Sequence, residues 1–216
     1  MSFKISNAFL SSYRKDQELI KFANNLSSLG VKVYASGGTA NYLLDNGVEV
    51  LNIASIIGQA KFGHRLVTIS PQVFGALLAN YSSLDDLREL AEMGMEPFDL
   101  LYVNPYPTSD VIKDKVGNFS AVVEMIDVGG PAMLVAAVKG LRLVVSNPKQ
   151  FSKVIKIVEE VNEGRVDLTD ELQKDAYIFD ILGLGIEAIH TVLNSYEPLL
   201  KFFGDTRVKL VNKQKK

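Results

Sequence analysis

With 216 residues, 47% of them apolar and 22% charged, the chain has the make-up of one folded domain with room for an appendage, and disorder is excluded. A formal net charge of −2 gives no basis for broad nucleic-acid or anionic-membrane binding, and the lack of cysteine excludes disulfides, thiol nucleophiles and cysteine metal sites. The two histidines, His64 and His190, are far apart and lack ligand spacing. No apolar run is read as a membrane span of ~20 residues and no signal peptide precedes Lys4, so a cytoplasmic protein without membrane contact is expected.

Residues 5–11 form a short apolar run suited to a buried strand. Asp16 to Leu29 places Leu19, Ile20, Phe22, Ala23 and Leu26 at helical spacing, closed by Gly30. Val31–Ala35 reads as a second strand. Gly37-Gly38-Thr39 opens a helix that Asn46-Gly47 stops, and Val48–Ile53 reads as a third strand. Alternation of strand and helix predicts an α/β fold, a Rossmann-like three-layer sandwich on a mainly parallel five-stranded sheet. Residues 54–70 lack periodicity and form a long loop of the kind that usually carries function. Pro71–Ala79 reads as a short helix or a packed turn and Leu84–Met93 as an amphipathic stretch ending at Gly94, then a fourth strand at Phe98–Val103 leads into Asn104-Pro105-Tyr106-Pro107. A helix at Ser120–Ile126 precedes Gly129-Gly130-Pro131, a tight turn into an uncharged and therefore buried helix that ends at Lys139. Arg142–Val145 is the fifth strand. Residues 1–147 make the core, and 148–216 are read as a helical appendage of the same domain, with a bend at Gly183–Gly185.

Ligands of open parallel sheets bind beyond the carboxyl ends of the strands. Those ends carry Ser11, Tyr13, Arg14 and Lys15, then Ser36-Gly37-Gly38-Thr39, then Arg65 and Thr68 in the long loop, and Asn104 with Tyr106. Asp127, Gly129 and Gly130 lie before the fifth strand. Ser36–Thr39 offers hydroxyls, glycines and free helix N–H groups, the chemistry of a phosphate cradle, and Lys15 can add a positive charge to the same anion. The chain has no Walker loop, dinucleotide fingerprint, nucleophile elbow or metal motif, which leaves a phosphorylated small ligand handled by Lys, Tyr, Asp and backbone N–H groups.

Ser36-Gly-Gly-Thr-Ala40, Arg65–Leu78, Val103-Asn-Pro-Tyr-Pro107 and Ile126-Asp-Val-Gly-Gly-Pro-Ala-Met-Leu134 with Ala136-Ala-Val-Lys139 follow one another in an order that resembles a known family. This is the inosine monophosphate (IMP) cyclohydrolase domain of the bifunctional purine-biosynthesis enzyme, whose fold is methylglyoxal-synthase-like. The resemblance runs from about Ala8 to Asn147 and more loosely beyond; no counterpart of the formyltransferase half is read in this sequence.

The resemblance implies closure of 5-formamidoimidazole-4-carboxamide ribonucleotide to IMP with loss of water, without metal or cofactor. It implies a purine ribonucleotide monophosphate substrate, a homodimer, no nucleic-acid or membrane partner, and a formyl-transferring enzyme on a separate chain. Ser11, Lys15, Ser36, Gly37, Gly38 and Thr39 would hold the 5′-phosphate, and Arg65, Thr68 and Asn104 would orient the base. Asp127 and Lys139 would form a proton-transfer pair beside Tyr106, and Tyr13, Val67, Val128, Gly129 and Gly130 would complete the substrate-binding set. The pair requires the Asp127 loop to fold back along a helix, since eight residues from Pro131 to Lys139 rise roughly 12 Å.

The sequence also departs from the family. Its Arg-Val-Lys-Thr-Leu-His-Pro is here Arg65-Leu-Val-Thr-Ile-Ser-Pro71, so Val67 stands where the resemblance places an oxyanion-stabilising lysine, and Ser70 and Phe74 replace histidines. The family's Ser-Asp-Lys-Thr-Gly is Tyr13-Arg14-Lys15-Asp16-Gln17, which brings a carboxylate toward a phosphate site with Arg14 to offset it. Two other readings remain open on the sequence: a nucleotide-binding module of the same fold that has lost catalysis, and a methylglyoxal synthase, for which neither histidine is suitably placed.

Overall fold

A computed structural model describes residues 3–63, 65–115 and 118–214, with Lys213 and Gln214 described by backbone only; His64 lies outside these ranges. The chain runs β1 (Asn7–Ser12), α1 (Gln17–Ser28), β2 (Lys32–Ala35), α2 (Gly37–Asp45), β3 (Leu51–Asn52), α3 (Ala54–Ile57), α4 (Pro71–Leu78), α5 (Leu84–Glu92), β4 (Leu100–Asn104), α6 (Thr108–Asp114), α7 (Phe119–Glu124), α8 (Gly129–Lys139), β5 (Leu143–Val145), α9 (Phe151–Asn162) and α10 (Glu171–Gln214).

Five parallel strands lie in the order β3-β2-β1-β4-β5. Period-two alternation sends neighbouring side chains to opposite faces. Ala8, Leu10, Val33, Leu100, Tyr102, Leu143 and Val145 enter one core with α1 and α9. Phe9, Tyr34, Leu101, Val103 and Val144 enter the other with α4 and α8. This is the expected α/β three-layer sandwich, with every strand pair parallel.

Asp16 caps α1 by accepting the Leu19 N–H at 3.0 Å and pairs with Arg14 at 2.5 Å. The predicted third strand contracts to two residues, because Val48 and Val50 are buried in the first core without pairing to β2. The long loop contains α3 and a turn closed by an antiparallel bridge between Lys61 and Leu66. α10 runs as one helix of 44 residues through Gly183–Gly185, with Gly185 packed near Val138 of α8.

Two segments, Phe119–Lys139 and Glu171–Asn212, are long and apolar enough by composition to cross a membrane, which corrects the sequence expectation. The first is divided between α7 and α8, and α8 buries Gly130, Pro131, Met133, Leu134, Ala136 and Ala137. The second belongs to α10, which packs on α8, β5 and α6.

Candidate functional site

The sheet order reverses between β1 and β4, the position where an open parallel sheet leaves a crevice beyond its carboxyl ends. Ser11 pairs in register with Val103 and Ser12 with Asn104, so both strands finish together at the floor of a cleft of about 730 Å³. Ser11, Tyr13, Ser36, Gly37 and Gly38 line one side. Asn104 and Tyr106 line the floor, and Arg65, Val67, Thr68, Asp127, Val128, Gly129 and Gly130 line the other side.

On the first side the start of α2 has no side-chain cap. Ser36 is at the capping position, yet its hydroxyl turns aside, 3.0 Å from Ser11 Oγ and 3.2 Å from Thr39 Oγ1. Gly37 and Gly38 therefore bring uncapped helix N–H groups to the cleft, beside a cluster of hydroxyls. Thr39 is buried behind the turn, where its hydroxyl accepts the Ser12 N–H at 2.9 Å. Lys15 donates to the carbonyls of Ser12 (3.1 Å) and Tyr13 (3.4 Å), and its Cε is 3.9 Å from where a Cβ on Gly38 would stand. Thr39 and Lys15 thus shape the turn from behind without lining the cleft.

On the second side Asp127 Oδ1 accepts the Gly130 N–H at 2.9 Å and so ties down the first turn of α8. Close approach, not positive φ, is what requires the two glycines. A Cβ on Gly130 would stand 2.5 Å from Asp127 Oδ2, and one on Gly129 would stand 3.0 Å from Thr68 Oγ1. Arg65 pairs side-on with Glu124, through Nε to Oε1 at 2.9 Å and Nη2 to Oε2. At the floor the rings of Tyr13 and Tyr106 lie 4.2 Å apart. The hydrogen bond with Tyr13, aided by desolvation, raises the Tyr106 pKa from its ordinary value.

The sequence profile of the MGS-like domain matches residues 18–132, which include the α2 turn, the Arg65 loop and the Asp127 turn. The chain belongs to the MGS-like domain family. This MGS-like chain is 33% identical over 166 residues to the bifunctional purine biosynthesis protein PurH of Petrotoga mobilis, aligning 74% of the chain with 32% of that protein. It is 34% identical over 173 residues to PurH of Bacillus subtilis, 79% of the chain with 33% of the relative. It therefore spans about a third of the length of the curated relatives it matches. Among solved structures, the crystal structure of ForH superposes with a TM-score of 0.71 at 29% identity, covering 92% of this chain and 98% of that one.

Within this MGS-like fold, Thr39 and Lys15 stand behind the turn and a third predicted residue, Lys139, is carried away from the cleft. Lys139 is the last residue of α8, ten helical steps or about 15 Å beyond Gly129. It is exposed and does not line the cleft, so the expected Asp127–Lys139 pair is not formed within one chain. The loop does not fold back, because Asp127 is held by the helix start it caps. Asp16, which sequence reasoning placed near the phosphate, is likewise absent from the cleft lining and serves α1.

Two residues near the site escaped sequence reasoning. Glu124 stands three positions before Asp127 as the only charged residue between Lys115 and Lys139 apart from Asp127 itself, a signal that was available. Tyr196 of α10 places its hydroxyl 3.4 Å from the Asp127 carbonyl, and burial, then the Asp127 carboxylate, raises its pKa. No local motif announces a contact 69 residues away.

Proposed function

We propose that this cleft binds 5-formamidoimidazole-4-carboxamide ribonucleotide and closes it to IMP with loss of water. The observation that carries the reading is the joining, in one cleft, of the uncapped Gly37–Gly38 helix start with the Asp127–Gly129–Gly130 turn. The likeness to two bifunctional purine biosynthesis proteins, PurH, at 33–34% identity supports a substrate from purine biosynthesis. The 5′-phosphate takes the N–H groups of Gly37 and Gly38 and the hydroxyls of Ser11 and Ser36, with Lys15 beneath. The imidazole then lies across Asn104 toward Arg65, Thr68 and Asp127.

Ring closure forms a bond between the carboxamide nitrogen and the formyl carbon, and the carbonyl pair moves to oxygen. The nitrogen loses a proton to Asp127, whose Oδ1 is fixed by Gly130 while Oδ2 has no hydrogen bond among the described residues. Tyr106 donates to the oxygen as charge develops. The proton held by Asp127 returns to that oxygen by way of Tyr106, and the resulting hydroxyl leaves as water with the hydrogen of the formamido nitrogen, completing the C=N bond. A positioned proton acceptor of this kind contributes ~10²–10⁴-fold. Neither metal nor cofactor enters the reading, which takes the protein as cytoplasmic and its formylated substrate as made by a separate chain. It also takes the protein as a homodimer, for which the exposed Leu182, Ile186 and Leu193 of α10 offer an apolar face.

The test is direct. Purified protein given the formamido ribonucleotide should form IMP, read by absorbance and mass; no IMP at enzyme in excess of substrate would sink the proposal. A second reading, a nucleotide-binding module without catalysis, is favoured by Val67 in the cleft wall and by Lys139 outside it. It predicts tight purine monophosphate binding with no IMP formed.

A further inference from the structure

Arg65 is the one lysine or arginine among the described residues that line the cleft. Lys15 lies behind the phosphate turn, Lys139 is at the far end of α8, and Lys61 is an exposed residue of the turn that Arg65 follows. Val67, two residues on, presents only methyl groups. Among the described residues, an oxygen that gains negative charge in this cleft therefore has one lysine or arginine side chain within it.

That cation is fixed by one residue. Glu124 takes Arg65 Nε–H and one Nη2–H in a two-point, side-on contact, and no described residue contacts Nη1. The arginine side chain is 68% exposed, on a turn with Phe62 at φ 54° and Gly63 at φ 73°, so packing does not hold it. A guanidinium on four rotatable bonds keeps one orientation only if something pins it, and a planar two-point pair pins both position and plane. Glu124 ends α7, three residues before Asp127. The segment that sets the proton acceptor thereby also sets the cation.

We infer that Glu124 is a positioning residue: it orients Arg65 so that the Nη1 amino group meets the oxygen that becomes negative on the former formyl carbon. The inference rests on the ring-closure reading, because that reaction puts the charge there. It adds that Glu124, itself part of the cleft wall, acts through Arg65. The exposed pair alone contributes little to stability, so the loss on removing it is expected in ligand discrimination and not in folding.

A binding measurement tests this without turnover. The formyl carbon becomes C2 of the purine, and xanthosine monophosphate carries an oxygen on C2 that IMP lacks. Calorimetry should find xanthosine monophosphate bound more tightly than IMP by the natural protein. Arg65→Ala and Glu124→Gln should each reduce that preference ~10-fold, the scale of one charge-assisted hydrogen bond, with IMP affinity changed less than ~3-fold. Glu124→Asp should recover part of it, and Glu124→Gln added to Arg65→Ala should cost nothing more. The inference is overturned if Glu124→Gln keeps the preference, if it weakens both nucleotides alike, or if its effect survives in the Arg65→Ala background. An intact, Glu124-dependent preference in a protein that makes no IMP would refute ring closure alone and leave the positioning of Arg65 standing.

Discussion

The two ends of the sheet are built on opposite principles. At the amino end Arg142, 1% exposed, donates Nε–H to the Leu77 carbonyl at 2.9 Å and Nη2–H to that of Ala79, and its guanidinium covers the Tyr81 ring at 4.3 Å. Tyr81 donates to Asp99, whose other oxygen accepts the N–H groups of Ser6 (2.7 Å) and Asn7 (2.9 Å). Burial lowers the Arg142 pKa, and burial, then the Asp99 carboxylate, raises those of Tyr81 and Tyr177 well above the usual phenol value. Most polar groups there pair with one another and close the structure, Arg142 Nη1 alone among them being buried without a hydrogen bond among the described residues. At the carboxyl end a helix start goes uncapped, the Ser36 hydroxyl meets those of Ser11 and Thr39, and an exposed ion pair spans the cleft wall. Groups left open there are groups held for a ligand. One end predicts stability effects without changes in specificity, and the other predicts the reverse.

The largest expected effect breaks the closed end. A Cβ at Gly140 would stand 1.9 Å from the Leu77 carbonyl oxygen, a contact that α8 and α4 relieve only by moving apart. Gly140→Ala should cost ~3 kcal/mol and lower the melting temperature by roughly 10 °C in calorimetry. A melting temperature unchanged within about 2 °C would mean the two helices separate freely. Arg142→Ala should fall in the same range, because it strands two carbonyls and the Asp99 carboxylate.

Alkaline pH should act on the same end. Tyr81 and Tyr177 have folded pKa values above their unfolded value near 10, so the unfolded chain loses these protons first. Their stabilising contribution is complete below pH ~10 and is lost as pH rises beyond it. Chemical denaturation between pH 8 and 11 should therefore show stability falling above pH 10. Tyr81→Phe should flatten that fall, and an equally steep fall in the variant would place its origin elsewhere.

The smallest effect belongs to the open end. Lys15→Ala removes a charge that touches the phosphate turn from behind, so monophosphate affinity should drop ~3–10-fold in calorimetry while the corresponding nucleoside binds as before. Equal losses for nucleotide and nucleoside would remove the phosphate from this turn.

How legible each feature was follows from how local its cause is. β1, β2, β4 and β5 were readable because each alternates between two cores, and α1 because Asp16 and Gly30 mark its ends. β3 was overread, since burial of Val48 and Val50 looks like a strand without strand pairing. α6 was unseen: Thr108–Asp114 is short, mostly polar and buries Val111 alone. The cleft residues from Ser11 to Tyr106 were legible from the rule that parallel sheets bind ligands at their carboxyl ends. Lys139 was drawn to Asp127 by sharing a motif, but the helix between them carries it away. Glu124 was marked only by its isolation among uncharged neighbours, and Tyr196 matters through a partner 69 residues distant, which no local pattern encodes.

The most direct test of the account is the rate of IMP formation by the natural protein and by Asp127→Asn, measured with enzyme in excess so that binding and release do not intrude. The asparagine keeps an oxygen for the Gly130 N–H and removes the proton acceptor. The account predicts IMP from the natural protein and a rate ~10²–10⁴-fold lower in the variant, with IMP affinity nearly unchanged. Equal rates in the two proteins would contradict it.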